Sequence, residues 1–128
     1  MPDITIAIRS LEHALATRPK TSTWRSLVAN RVQGLREAYV QEMEGGPMYD
    51  AFALDAAPWI HGRLQLLQRD QVRIVEELES LGRACLEVMD IEMLHARAKL
   101  ALQRIAHLRQ RENDLLYESV DLDLGGEQ

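Results

Sequence analysis

Apolar residues recur at alternating spacings of three and four along most of this chain, the repeat of helices that bury one face. In the C-terminal stretch Asp90 to Gln128 the stripe is Ile91, Leu94, Ala98, Ala101, Ile105 and Leu108. It then meets Glu112 before resuming at Leu115 or Leu116. A carboxylate therefore interrupts an apolar seam, and His107 stands on the seam's edge five residues earlier. Burying such groups without partners is costly, so the interruption is the first place to look for chemistry.

Upstream, the pattern predicts a short amphipathic helix over 4–17, with Ile4, Ile8, Leu11 and Leu15 on one face. Asp3 is its expected N-cap, and Arg18 with Pro19 its stop. His13 falls off the stripe, toward solvent. A long helix follows over 22–44, capped by Ser22 or Thr23 and carrying Trp24, Val28, Val32, Leu35 and Tyr39 inward. Its next stripe position is Glu42. Gly34 inside it costs about 1 kcal/mol relative to Ala and suggests close approach of a neighbour. Gly45, Gly46 and Pro47 end it.

Residues 48–55 (Met48, Tyr49, Phe52 and Leu54 among them) predict a helical turn or short helix. Asp55 and Pro58 suit the start of the next helix, about 57–86. Its seam is Ile60, Leu64, Leu67, Gln71, Ile74, Leu78, Leu81 and Cys85, with Gln71 at a position that asks for an apolar residue. A tight connection then leads to Asp90, the expected cap of the last helix. Short connections make neighbours antiparallel. The expected fold is all-α: an up-and-down antiparallel four-helix bundle of three long helices and a short N-terminal one. It forms a single domain over 1–128, in which 1–21 are the short helix and its connection and 121–128 a tail ended by Gly125 and Gly126.

Composition narrows the function. The 128 residues carry a net charge of −5 with 5% aromatics. That argues against a nucleic-acid partner, which calls for a basic face. No apolar run approaches the roughly 20 residues of a membrane span, and the N-terminus lacks the pattern of a signal peptide. A single cysteine, Cys85, suits a reducing compartment, so a cytoplasmic location is expected. At a seam position it reads as a small buried hydrophobe.

If residue 86 faces residue 91 across the last turn, Gln71 falls opposite residue 106, beside His107. The two polar breaks then share one level, and a buried Gln71–His107 hydrogen bond is expected to satisfy both. A metal role, if any, would draw on His107, Glu112 and Glu42. No nucleophile–base set shares a face, so catalysis is not expected.

The stretch from EGGPMYDAFALDAAPWIHGRLQLLQRDQVRIVEELESL to ALQRIAHLRQRENDLLYESVDLDLGGE resembles a divergent hemerythrin-like, cation-binding (HHE) domain over roughly 22–128. The similarity rests on a Trp opening the first long helix, the acidic-Gly-Pro turn after it and an Ala-Pro pair opening the next. It continues in H-x-x-Q at His107, then DLLYE and DLGG. The resemblance implies a four-helix bundle whose members hold two irons through histidines and carboxylates. Where those members carry a ligand histidine in the third helix, this chain has Gln71 after Asp70; where they carry His-x-x-x-Glu, it has Gln41, Glu42 and Glu44. His107 alone matches an expected histidine, with Glu112 as its acidic follower, and Gln71 is a poor iron ligand.

The expectation is a non-enzymatic hemerythrin-like bundle that has lost its di-iron site and serves as an interaction or regulatory module. A protein partner or self-association follows, with no cofactor, or iron if any. Two alternatives are an iron- or O₂-binding protein with a reduced site, and a small-ligand binder using Gln71 and His107.

Overall fold

The computed structural model describes residues 3–17, 21–45, 58–87 and 89–126. They form four helices: α1 (Ile4–Ala16), α2 (Ser22–Gly45), α3 (Pro58–Leu86) and α4 (Ile91–Gly126). α1 packs on α2, α2 on α3, α3 on α4, and α4 returns to α1. The result is the expected all-α four-helix bundle. The core is the predicted stripes almost residue for residue: Leu11 and Leu15; Trp24 through Tyr39; Ile60 through Cys85; Leu94 through Leu108, and then Leu115. The predicted short helix at 48–55 and its partner cap Asp55 lie outside the described residues.

At 13 residues α1 is too short to persist alone in water, and both its ends are fastened. Asp3 accepts from the Thr5 and Ile6 N–H groups at 2.7 and 3.4 Å, the expected N-cap. At the other end, carbonyls of the last turn find partners on two other helices. The buried Trp24 indole N–H of α2 donates to the Ala14 carbonyl at 2.8 Å. His95 Nε2 of α4 lies 3.2 Å from the Leu15 carbonyl. His13 is exposed.

Three local expectations change. The cap of α2 falls at Thr21, before the expected Ser22 or Thr23: Ser22 is already helical, and the Thr21 carbonyl accepts from the Arg25 N–H at 3.1 Å. Gly34 has open space where a Cβ would stand, so no neighbour approaches there; at Gly82 a Cβ would meet Val32 at 3.8 Å, an ordinary contact. And α4 runs to Gly126, so most of the expected tail is helical. Gly125 and Gly126 lie inside the helix, and nothing before them breaks it.

The α3–α4 register is set by charge. Arg63 donates to Glu118, Arg111 to Asp70 at 2.7 Å, and Arg104 to Glu77 at 2.6 Å. These residues stand seven apart on each helix, an antiparallel ladder down one edge of the seam. Their numbers pair at a total of 181, four more than counting back from the turn gives. The slip is one helical turn, about 6 Å. The connection through Glu87 and Asp90 does not bring residue 86 level with residue 91. Arg25 of α2 stabilises that connection instead, donating to the Glu87 carbonyl at 3.3 Å and to that of Met89.

Candidate functional site

Among the described residues, Gln71 is the polar side chain buried in the core, at 4% exposure. With the register corrected, it meets Glu112: Gln71 Nε2 donates to Glu112 Oε1 at 2.9 Å. Glu112 is half-buried and His107 exposed. Gln71 therefore shares its level with Glu112 and not with His107. The expected buried Gln71–His107 pair is not formed. His107 and Glu112 are five residues apart, which turns them about 140° from each other around the helix. One therefore faces the core and the other the outside.

The same angle disperses the candidate metal set of His107, Glu112 and Glu42. Glu42 is exposed on α2 and accepts from Arg109 at 3.2 Å, closing the edge between α2 and α4. Glu112 is bonded to Gln71. No group of three or more His, Cys, Asp or Glu among the described residues is placed to hold a metal ion. The donor chemistry agrees, because an amide occupies the core position where a di-iron bundle needs imidazole and carboxylate converging on one point. These residues do not fit a di-iron centre.

His107 instead lines an open groove of about 560 Å³ on the outer side of the α3–α4 seam. Ile74, Leu100 and Leu108 give it an apolar floor, and Arg73, Arg104, His107 and Arg111 stand around it with Asp70 and Glu77. Both acids are already held by Arg111 and Arg104. Arg73 reaches Asp70 only at 3.9 Å, with its side chain 72% exposed. The rim is therefore locally basic on a chain of net charge −5. The charge ladder was open to view in the heptad spacing of Arg63, Asp70 and Glu77 against Arg104, Arg111 and Glu118, but interleaving with apolar residues makes it read as an ordinary solvated face.

Cys85 is buried and free. Burial pushes its thiol pKa above the ordinary value, and the Arg25 and Arg97 charges only partly oppose this. A protonated, enclosed thiol is a poor nucleophile. No helix among the described residues is long and apolar enough to cross a membrane. No family model, curated protein or solved structure matches the chain.

Proposed function

We propose that this chain is a non-enzymatic interaction module: a hemerythrin-like bundle that has exchanged its di-iron centre for a hydrogen-bonded core and works through its surface. The observation that carries this reading is the Gln71–Glu112 bond. It gives the buried amide at the polar level of the bundle a carboxylate partner, and among the described residues no group of three His, Cys, Asp or Glu converges there. The hemerythrin-like ancestry rests on the motifs around Trp24, Glu44 to Pro47, His107 and the DLLYE run. A cytoplasmic setting is part of the proposal, supported by the single cysteine of the sequence, which lies buried.

Metal content tests it. Protein purified from iron-fed cells should contain far less than one iron per chain and show no visible absorption bands. Iron near two per chain, with charge-transfer bands, would overturn the reading. Mutating His107 should leave folding and metal content unchanged.

A further inference from the structure

Ion pairs tie α2, α3 and α4 to one another, and among the described residues none reaches α1. The seam between α1 and α2 instead carries an open groove of about 310 Å³. Its charged lining residues are Arg9, His13 and Arg31, with no acid among them. All three side chains are exposed. Within the described residues none of them takes part in a hydrogen bond or an ion pair. Ile6, 65% exposed, and Leu27 supply the apolar wall. The bond from Trp24 to the Ala14 carbonyl fixes the level of the two helices. Seven residues along α2 and seven back along α1, Arg31 stands near Ala7, between Ile6 and Arg9. Two guanidinium groups therefore face one groove from opposite walls, and like charges without a counter-charge repel. A chain of net charge −5 leaves its bases unanswered here. We propose that this groove docks an acidic amphipathic helix of a partner protein, with apolar side chains in a stripe and carboxylates beside it. This rests on the interaction-module reading and names the chemistry of the partner.

The shape of the groove selects a helix. Ile6, Ser10 and His13 follow at spacings of four and three along α1, and Leu27 and Arg31 at four along α2. The groove is thus a trough between two helical ridges, the surface into which a third helix packs. The partner's apolar stripe covers Ile6 and Leu27, and its carboxylates reach Arg9 on one wall and Arg31 on the other. Each guanidinium has its full set of N–H donors for a bidentate pair. A small molecule would stay largely in water between such exposed walls, whereas small-molecule sites enclose most of their ligand. An anionic membrane calls for clusters of about four to eight bases. Two arginines and a histidine, with Glu12 exposed on the same helix, fall short of that. Because the charges lie at the rim, they set the encounter rate and make binding sensitive to salt.

Titration of the full chain with a capped helical peptide tests this, using leucines on one face and glutamates beside them. A second peptide has lysine in place of each glutamate, and phosphatidylserine vesicles serve as a third probe. Backbone amide shifts read by NMR should change at Ile6, Ser10, Leu27 and Arg31 with the glutamate peptide alone. Arg9→Glu with Arg31→Glu should weaken that binding at least about tenfold, because two attractions at the rim become repulsions. Both arginines are exposed and unbonded, so the fold should survive, which an unchanged helical circular-dichroism spectrum checks. The same double variant should now bind the lysine peptide, a gain that unfolding would not produce. No binding of the glutamate peptide, equal binding of both peptides, or shifts centred on the His107 groove overturns the proposal. So does retention of the chain by vesicles without binding of the peptide. Failed peptide binding by iron-free protein removes this site and leaves the module reading standing, whereas bound iron removes that reading whatever the peptides do.

Discussion

Removing the Glu112 carboxylate should cost more than its half-exposed position suggests. In Glu112→Ala the Gln71 amide keeps its place in the core, at 4% exposure, and loses the acceptor at 2.9 Å. A hydrogen bond to a charged group contributes about 1.5–3 kcal/mol, and the burial of a donor stripped of its acceptor costs about 1–3. These are two views of one loss and are not added. Water entering from the Glu112 side recovers part of it, so about 2 kcal/mol is expected. For a domain of 128 residues that lowers Tm by roughly 6–10 °C. The double variant Gln71→Leu/Glu112→Leu removes donor and acceptor together and fills the level with apolar volume. Such replacements are often neutral or stabilising, and it should lie within about 1 kcal/mol of the parent or above it. Urea unfolding followed by helical circular dichroism, run on both single variants and the double, gives the coupling energy directly. If Glu112→Ala unfolds at the parental midpoint, or if the single-variant losses simply add in the double, the buried pair is not the structural element described here.

Other consequences are smaller. Gly34→Ala should stabilise α2 by about 0.5–1 kcal/mol, because the new methyl meets nothing within 4 Å and the unfolded chain loses freedom; a lower urea midpoint would contradict this. Trp24→Phe deletes the bond to the Ala14 carbonyl and should cost about 1 kcal/mol or more, with amide exchange accelerating in α1 before α3. Because burial raises the Cys85 pKa above 9.0, the folded state keeps a proton that the unfolded state releases. Stability should therefore fall as pH rises through 9.0 relative to Cys85→Ala, and thiol labelling should track unfolding; fast labelling of the native protein would refute the buried assignment.

The helices were legible because their signal is local and repeated. Val28 through Tyr39 and Leu94 through Leu108 announce a buried face every turn, and each of these seam residues is buried as expected. Asp3 was legible as a cap for the same reason: an N-cap is decided within three residues. The candidate site was half legible. Gln71 and Glu112 stood out as polar interruptions, and both are where the interruption implied. Their partnership was hidden because it depends on the alignment of two helices, which the length of the intervening turn does not determine. An error of one turn exchanged His107 for Glu112. The attachments of α1 through Trp24 and His95 were equally hidden, since a side chain reaching a backbone carbonyl on another helix leaves no periodic trace.

What does determine the alignment of α3 and α4 is the order of signs along the ladder. On α3 the sequence is Arg63, Asp70, Glu77; on α4, read upward beside it, Glu118, Arg111, Arg104. Sliding α4 by one heptad in one direction brings Arg63 against Arg111. Sliding it the other way brings Asp70 against Glu118. Either slip replaces an attraction with a repulsion while keeping much of the apolar seam in phase, so the apolar stripe alone would discriminate poorly between registers. Each half-exposed pair is worth at most about 1 kcal/mol, yet the difference between an attractive and a repulsive pairing is larger than either alone. The information lies in the change of sign, and that change falls on α4 between Arg111 and Glu118.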